Sequence, residues 1–386
     1  MGSEMCIRDS INTNQILKMI LFRAPISRIE ISHRTGISKM VISNIVNKFL
    51  EEGVVYETGT HGTGVGRHPI QLDIVENSRF AVGVEIRDDK VCGGVYELKG
   101  HKVVSRECPL CIDADNQDLT EAVFDVVEKL LKETEEVMGI GITSEAAYIN
   151  GKVGKINSSV SLKNIGDLPI VELLEEKFEL PAFTESSSNV AAMAEKYFGV
   201  GKKMSDFVYF DVTEYGAGSG IVINHELYHG RNGVAGEIGH ITIDTNGEQC
   251  RCGNFGCLEH YIDLKKTVHK VKDKIAAGAL TAFGEVTFSA ICKKAMEGEP
   301  YCAGLIDEFT ENLASGMVTA INFFDPQYII LGERIGDSYL IEKLSEKTKS
   351  RMLGREFAGA PFVRTSFQND IIPMGAAALA FAKTLI

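Results

Sequence analysis

A short block of cysteines with one histidine before it is the feature that most constrains the fold of this chain. His240 is followed, after nine residues, by the segment Cys250-Arg251-Cys252-Gly253-Asn254-Phe255-Gly256-Cys257. One imidazole and three thiolates fill the tetrahedral coordination of Zn²⁺, which is typical of a structural rather than a catalytic zinc. Gly253 and Gly256 allow the loop to fold back around an ion. The alternative is three reduced cysteines and a surface histidine that are close only in sequence. The tight spacing favours the metal, with ligands His240, Cys250, Cys252 and Cys257.

The length and composition indicate a globular protein of more than one domain. A chain of 386 residues is expected to form two or three domains, and its 44% hydrophobic and 24% charged content is ordinary for such proteins. We expect no membrane segment and no leader peptide, because no apolar run approaches the ~20 residues that a bilayer requires. The other six of the nine cysteines are mostly scattered, which favours a reducing cytoplasm. Residues 1–10 lack a helical or strand pattern and are interpreted as a tag or artefact.

Residues 11–75 have the pattern of three short helices followed by a β-hairpin. Apolar residues recur at helical spacing, and Ser27 and Glu30 have the separation of a capping box. The expected helices run from Asn12 to Arg23, from the cap Ser27 to Gly36, and from the cap Ser38 to Gly53. A Gly-rich stretch between the strand patterns 54–58 and 70–73 predicts the hairpin. Two helices joined by a short turn, with a hairpin after them, predict a winged helix-turn-helix domain.

Charge is unevenly distributed between this N-terminal domain (residues 11–75) and the rest of the chain. Residues 11–70 contain seven Lys or Arg against four Glu, a balance of +3. Residues 1–10 carry −1. Because the net charge of the whole chain is −13, residues 71–386 carry −15. A basic N-terminal domain on an acidic body suggests that only this domain meets phosphate.

The exposed face of the third predicted helix suits contact with DNA. Its side chains opposite the apolar positions are short or polar, which favours base edges and phosphates. With one arginine at the return of the hairpin, the predicted DNA-binding residues are Ser38, Lys39, Met40, Ser43, Asn44, Asn47 and Arg67. The alternative is a helical bundle for dimerisation or capping, because polar helix faces are usually only solvated. The combination of helices, caps, hairpin and positive charge favours DNA binding.

From Phe80 onward, strand and helix patterns alternate. The expected strands are 80–86, 90–96, 139–143, 207–211, 220–224 and 328–332, and the expected helices are 117–138 and 303–324. The Gly-rich segment 216–220 is interpreted as a turn before a strand. Two successive units of strands and helices predict an α/β body with two lobes and a cleft between them.

Several motifs in this body resemble the ROK family of repressors, uncharacterised reading frames and sugar kinases. The most specific are the segments Gly236–His240 (Gly-Glu-Ile-Gly-His) and Cys250–Glu259. Weaker matches are residues 64–67, 189–195 with 198–199, 216–220 and 375–377. The chain after its first ten residues is similar to the repressor branch, which includes xylose and N-acetylglucosamine repressors. The resemblance implies that residues 76–386 form a two-lobed, actin-like and sugar-kinase-like (ribonuclease H-like) sugar-binding domain.

Three features that the family's kinases use for phosphoryl transfer are altered in this sequence. The first phosphate turn, Asp-x-Gly-Gly-Thr in the kinases, reads Glu85-Ile86-Arg87-Asp88-Asp89, and its added carboxylates would repel a triphosphate. Ser187 stands where the resemblance places the catalytic Asp, and a serine hydroxyl cannot act as the base near pH 7. The late Gly-Gly of the adenosine site reads Gly332-Glu333. We therefore expect no kinase activity and no catalytic residues.

The groups that orient the sugar in the family are partly retained. In the family, the glutamates at the positions of Glu237 and Glu259 hydrogen-bond the sugar hydroxyls, and His240 is the third residue of this group. Two serines replace the family's Asn-Asp pair. The implied sugar-binding residues are Glu237, His240, Glu259, Ser186 and Ser187. The alternative for the two glutamates is a helix cap or a salt bridge that supports the metal.

These expectations combine into a cytoplasmic, sugar-responsive repressor of carbohydrate-utilisation genes that contains structural Zn²⁺. Its expected partners are an operator in double-stranded DNA, a sugar or sugar phosphate effector, and further copies of itself in a homo-oligomer, expected to be a dimer. Two alternatives remain open. One is a ROK sugar kinase that phosphorylates hexoses with ATP and carries an accessory domain, and the other is a regulator whose input is another protein.

Overall fold

Three helices pack together in the N-terminal domain, and local chemistry explains where two of them begin. They are α1 (Gly2–Arg23), α2 (Arg28–Thr35) and α3 (Lys39–Glu51). The Ser27 hydroxyl accepts from the Glu30 N–H at 3.2 Å, and the Glu30 carboxylate accepts from the Ser27 N–H at 2.9 Å. Ser38 Oγ accepts from the Val41 N–H at 3.4 Å at the start of α3. The predicted capping box at Ser27 and the predicted N-cap of the third helix at Ser38 are therefore confirmed.

The first helix is longer than the sequence pattern predicts. The computed structural model of the chain describes residues 2–60, 69–144, 148–150, 155–157, 162–213, 216–349, 351–352 and 362–384. In it α1 begins at Gly2 rather than at Asn12, so the expectation of no helix in the first ten residues is wrong. Once a helix has formed, each added residue gains a hydrogen bond, and no proline interrupts residues 2–23. The apolar face is as predicted, because Ile16, Leu17, Ile20 and Leu21 are at most 5% exposed.

A three-stranded antiparallel sheet completes the N-terminal domain. Its strands are β1 (Ile26–Ser27), β2 (Val55–Thr60) and β3 (Ile70–Ile74), in the order β1-β3-β2. β2 and β3 form the predicted hairpin, with Val55 opposite Ile74. The predicted DNA contact Arg67 lies outside the described residues, as do 61–66 and 68.

The remaining elements follow in alternating groups. The strands are β4 (Phe80–Ile86), β5 (Lys90–Glu97), β6 (Lys102–Pro109), β7 (Val137–Ser144), β8 (Tyr148–Asn150), β9 (Lys155–Asn157), β10 (Ala182–Thr184), β11 (Phe207–Thr213), β12 (Gly216–Ile223), β13 (Glu226–Leu227), β14 (Tyr328–Leu331) and β15 (Phe362–Arg364). The helices are α4 (Asn116–Leu131), α5 (Ile170–Phe178), α6 (Ser187–Tyr197), α7 (Leu264–Ala276), α8 (Phe288–Met296), α9 (Pro300–Phe324), α10 (Ser338–Lys349) and α11 (Ile371–Thr384).

The chain divides into two compact units, and each contains one five-stranded mixed sheet. Unit 1 comprises Met1–Ser186, Met193–Phe198 and Ile371–Ile386, and unit 2 comprises Ser187–Ala192 and Gly199–Asp370. The sheet of unit 1 has the order β6-β5-β4-β7-β10, and that of unit 2 has the order β13-β12-β11-β14-β15. In both, the first three strands are antiparallel and the last two run parallel to the central one. The predicted duplication of an α/β unit is confirmed, and the cleft between lobes stays a prediction.

Two boundaries differ from those that the sequence pattern predicts. α4 ends at Leu131 rather than at 138, and β7 already begins at Val137, because the chain reverses at Glu136, where φ is 61°. Residues 216–220 belong to β12 and not to a turn, since Gly218 pairs with Asp211 and Gly220 with Tyr209. The small residues of β12 allow close packing on α6, because a Cβ on Gly220 would lie 2.6 Å from Ala192 Cβ.

The hydrophobic core of unit 2 anchors the cysteine block. Leu258, directly after the last cysteine, is fully buried in the cluster that also contains Phe210, Leu313 and Ile329. A Cβ on Gly316 of α9 would lie 2.3 Å from Leu258 Cδ2, so this helix and the block are in direct contact. Among the described residues, no helix has the length and apolar character that crossing a bilayer requires.

Candidate metal centre and neighbouring sites

One imidazole and three sulfur atoms converge in unit 2. The ligand atoms of His240, Cys250, Cys252 and Cys257 all lie within 4.8 Å of one another. The Sγ atoms of Cys252 and Cys257 are 3.7 Å apart, and His240 Nδ1 is 3.6 Å from Cys250 Sγ. Tetrahedral Zn²⁺, with Zn–S of about 2.3 Å and Zn–N of about 2.0 Å, requires S···S of about 3.8 Å and S···N of about 3.5 Å. The four predicted ligands are therefore brought together as a possible metal site, and their spacing fits a tetrahedral ion.

Backbone contacts fold the cysteine loop into this arrangement. The Cys250 N–H donates to the Asn254 carbonyl at 2.7 Å, and the Gly253 N–H donates to the Cys250 carbonyl at 2.9 Å. Gly256 has a φ of 58°, and a Cβ there would lie 1.7 Å from the carbonyl oxygen of Asp244. Only glycine satisfies both conditions, because other residues rarely adopt a positive φ and none lacks a Cβ. The prediction that glycines allow the loop to fold back is confirmed at this position.

The three thiols differ in acidity according to their surroundings. Burial raises the pKa of Cys250 to about 12, and burial also raises the pKa of Cys257. The backbone N–H of Asn254, in contrast, lowers the pKa of Cys252. Since a metal binds the thiolate, the two buried cysteines must release protons when an ion is bound. Metal binding at this site is therefore expected to weaken as pH falls.

Two carboxylates flank the histidine on opposite sides of its ring. Glu259 Oε1 lies 3.5 Å from His240 Nδ1 and 3.1 Å from Cys250 Sγ, and Glu259 Oε2 lies 3.7 Å from a nitrogen of Arg251. Glu237 Oε2 lies 3.7 Å from His240 Nε2. The Glu259 side chain is only 9% exposed, whereas that of Glu237 is 58% exposed. Glu259 thus lies against the cysteine block, and Glu237 is the more exposed of the two carboxylates.

The predicted serines lie at the start of α6. Ser186 is exposed and occupies the N-cap position, but its side chain makes no capping hydrogen bond. Ser187 is half-buried and begins the helix. Of the two, only Ser187 belongs to the same compact unit as Glu237 and Glu259.

The predicted DNA-binding residues form one face of α3. Lys39, Met40, Asn44 and Asn47 are exposed and Ser43 is half-buried. The buried side chains of α3, which are Ile42, Val46 and Phe49, lie on the opposite face. Ser38 is exposed, but its hydroxyl already accepts the capping hydrogen bond. Five of the seven predicted residues are thus on the exposed side of this helix, with Ser38 at its start.

Three residues near these sites are absent from the sequence-based predictions. Arg28 of α2 donates to Glu57 at 2.8 Å and to Asn47 at 3.3 Å. Arg251 pairs with Glu259, and its place between two ligating cysteines is the only signal that could have indicated it. His260 has a buried Nε2 without a hydrogen-bond partner among the described residues. No sequence pattern indicates the role of Arg28, because its partners are 19 and 29 residues away.

The segment at the place of the kinases' first phosphate turn, at the end of β4, carries two ion pairs. Glu85 is fully buried, and its Oε2 accepts from Arg87 at 2.8 Å. Lys90, at the start of β5, pairs with Glu107 at 2.7 Å. Burial raises the pKa of the neighbouring Cys92 to about 12, so this thiol is protonated near neutral pH.

A largely buried carboxylate, whose side chain is 13% exposed, lies near the corresponding place in unit 2. Asp211 of β11 is beside Gly332, because β11 and β14 pair in parallel with Phe210 opposite Leu331. Burial raises the pKa of Asp211 to about 6, although Arg334 lies 3.6 Å away. The altered Gly-Glu pair of the sequence is thus next to a carboxylate that the sequence pattern did not indicate.

Comparison with protein families and curated proteins gives a consistent match. The model of the ROK family matches residues 81–383. The xylose repressor of Caldicellulosiruptor bescii is 28% identical, and the alignment covers 100% of this chain and 98% of that protein. The N-acetylglucosamine repressor of Escherichia coli O157:H7 is 26% identical, with 93% of this chain and 89% of that protein covered.

Solved structures show the same fold. A ROK family transcriptional regulator, a homologue of the Escherichia coli Mlc protein, superposes with a TM-score of 0.81 and 24% identity, over 98% of this chain and 97% of its own. A ROK family glucokinase from Streptomyces griseus, in complex with glucose and AMPPNP, gives a TM-score of 0.65 and 23% identity. That comparison covers 98% of the glucokinase but only 78% of this chain. The body of the chain therefore has the α/β sugar-kinase fold.

Proposed function

The chain belongs to the ROK family, and we propose that within it this protein is a sugar-responsive transcriptional repressor without kinase activity. The observation that carries the proposal is the extent of the match. Named repressors align over the N-terminal domain as well as the body, with 100% of this chain covered by the xylose repressor. The superposition with the glucokinase covers only 78% of this chain, so a segment about the size of the N-terminal domain has no counterpart in the glucokinase.

The N-terminal domain is proposed to be a winged helix-turn-helix that binds an operator. Support comes from the order of its elements, from the exposed polar face of α3, and from the balance of +3 in residues 11–70. The proposed DNA contacts are the residues predicted from the sequence: Ser38, Lys39, Met40, Ser43, Asn44, Asn47 and Arg67. Paired recognition helices in a dimer would favour half-sites spaced by whole turns of about 34 Å.

The body is proposed to hold structural Zn²⁺ and a sugar or sugar phosphate. His240, Cys250, Cys252 and Cys257 would bind the ion, which would fix the segment that carries Glu237 and Glu259. A ligand at the exposed Glu237, with His240, Ser186, Ser187 and Glu259 as further candidates, would shift the protein between DNA-binding states. It can do so only to the extent that it binds the two states differently.

Phosphoryl transfer is not part of the proposal. Kinases of this type hold phosphate on glycine-rich backbone and use a carboxylate as base. Here Glu85 near the end of β4 pairs with Arg87 in place of a glycine-rich turn, and Ser187 occupies the position that the family resemblance gives to the base. A cytoplasmic location and a homodimer belong to the same proposal, as does the absence of a membrane partner.

The test is binding to the DNA upstream of the protein's own gene. Fluorescence anisotropy with a labelled duplex should show binding that the unlabelled duplex competes and a scrambled duplex does not. A panel that includes xylose and N-acetylglucosamine should contain a sugar that changes the affinity. Lys39→Glu on α3 should weaken binding, whereas the matched change Lys272→Glu on the exposed side of α7 should not. Equal affinity for scrambled DNA, with and without sugars, would refute a repressor, and a response to none of the sugars would favour a protein input.

A further inference from the structure

The exposed face of α3 contains two asparagines, and among the described residues only one of them has a side-chain hydrogen-bond partner. Arg28 donates from one guanidinium nitrogen to Glu57 at 2.8 Å and from another to Asn47 Oδ1 at 3.3 Å. Because a guanidinium group can only donate, the Asn47 atom that faces it must be the carbonyl oxygen. An adenine edge needs an amide oxygen and an amide N–H together, at N6 and N7. With its oxygen turned toward Arg28, Asn47 is poorly placed for this paired contact.

Asn44 is differently placed. It is exposed, and among the described residues its side-chain amide has no hydrogen-bond partner, so both ends of that amide are available. Met40 lies one helical turn before it, with 75% of its surface exposed on an otherwise polar face. Side chains at this spacing are neighbours on a helix, about 5–6 Å apart between Cβ atoms. That separation allows them to contact neighbouring base pairs, which rise by about 3.4 Å.

We propose that Asn44 and Met40 together read adjacent A·T pairs in the major groove. Asn44 contacts N6 and N7 of an adenine, and the flexible Met40 side chain covers the 5-methyl group of a neighbouring thymine. Arg28 and Asn47 contact no base in this proposal, which assigns Asn47, one of the predicted DNA contacts, to holding α3 in a fixed orientation against α2 and β2. The inference rests on the proposed function, because it assumes that the N-terminal domain binds an operator.

The test uses a duplex that the wild-type protein selects from a random-sequence pool. We expect A·T pairs in each selected half-site. Replacing one of these thymines by uracil removes only the methyl group, and should weaken wild-type binding about 4-fold at one position. Met40→Ala should bind the thymine and uracil duplexes equally. Replacing the neighbouring adenine by 7-deazaadenine should weaken the wild type roughly 5- to 150-fold, and Asn44→Ala should not distinguish the two duplexes.

Two variants serve as controls. Met296 of α8 is also an exposed methionine, at 62%, and Met296→Ala should discriminate thymine from uracil as the wild type does. Asn47→Ala should weaken all duplexes by the same factor and keep the adenine preference. The inference is wrong if uracil weakens DNA binding by Met40→Ala as much as it weakens binding by the wild type. It is also wrong if Asn47→Ala, and not Asn44→Ala, loses the adenine preference. A pool from which no sequence is enriched would instead refute the proposed function itself.

Discussion

The two five-stranded sheets share one topology, but they differ in the residues that surround the hairpin formed by the central strand and the strand after it. In unit 1, the chain after β4 continues into Arg87, Asp88 and Asp89, and the buried Glu85 pairs with Arg87 at 2.8 Å. In unit 2, β12 remains rich in glycine, and a Cβ on Gly216 would lie 2.8 Å from Glu259 Oε2. The first copy carries an ion pair of its own at this place, and in the second copy β12 lies against the cysteine block. The proposed function, a regulator without phosphoryl transfer, requires a ligand site but no transfer site, and this difference between the two sheets agrees with it.

The largest effect is expected from losing a metal ligand in unit 2. Cys257 is fully buried, and Cys257→Ser should abolish binding of the ion and lower the free energy of unfolding by roughly 5 kcal/mol or more. Metal analysis of the purified protein and thermal denaturation measure the two effects. Hydrogen exchange should rise in peptides from β11 and β12 and change less in β4 and β5, because the block is anchored in the core of unit 2.

Cys111 offers the matched control for that variant. It is an exposed free cysteine in unit 1, so Cys111→Ser should retain the ion and the melting temperature of the wild type. Equal metal content in the Cys257 and Cys111 variants would contradict the assignment of the ligands. Lowering the pH should weaken metal binding in the wild type, since burial raises the pKa of Cys250 to about 12 and that of Cys257 as well.

A pair of glycines separates steric from conformational effects in the same block. Gly256→Ala would place a Cβ 1.7 Å from the Asp244 carbonyl oxygen at a positive φ, and should cost about 3 kcal/mol. Gly253 also has a positive φ, of 91°, but a Cβ there would meet nothing within 4 Å. Gly253→Ala should therefore cost only about 1 kcal/mol. Urea denaturation of the two variants measures the difference, and equal costs would mean that the loop relaxes around the added atom.

The third effect is a pH dependence that arises in unit 2. Burial raises the pKa of Asp211 from 3.8 to about 6. Well below its unfolded pKa of 3.8, the group is protonated in both the folded and the unfolded chain. As pH rises to 6 the unfolded chain loses this proton first, so the folded state loses stability. Asp211→Asn should be more stable than the wild type by less than about 1 kcal/mol near pH 4 and by about 2 to 3 kcal/mol near pH 7.

The Asp211 comparison has its own control in Arg334. If the ion pair at 3.6 Å outweighed the cost of burial, Asp211→Asn would instead be less stable near pH 7. Denaturation curves at pH 4 and pH 7 decide between the two outcomes. Arg334→Gln should then reveal the pair directly, because it removes the positive charge and retains a polar side chain.

Local features of this fold could be predicted from the sequence, and contacts between distant segments could not. The caps Ser27 and Ser38, strand β4 with its observed bounds, and the four metal ligands follow from residue types at short spacing. The side of α3 that is exposed follows from helical periodicity. All of these depend on interactions within about twenty residues of chain.

The missed features depend on segments that meet only in the folded chain. Asp211 lies beside Gly332 because β11 and β14 pair, and no pattern within either strand indicates the partner. Arg28 contacts Asn47 only because α2 and α3 cross in the N-terminal domain. The start of α1 was missed for another reason, because helix extension is favourable even where the sequence shows no apolar face.

The smallest expected effect tests whether the segment after β4 and Ser187 account for the proposed lack of phosphoryl transfer. Wild-type protein should release no ADP from MgATP above the blank with any sugar of a hexose panel. Ser187→Asp restores a carboxylate at the position of the base, but the turn still carries Arg87, Asp88 and Asp89, so its rate should equal the blank as well. Combining Ser187→Asp with Arg87→Gly, Asp88→Gly, Asp89→Thr and Glu333→Gly restores all three altered features, and only this variant is expected to gain turnover. ADP release by Ser187→Asp alone would show that the ion pair at Glu85 does not close the first sheet to phosphate, and the contrast between the two sheets would then rest on one serine.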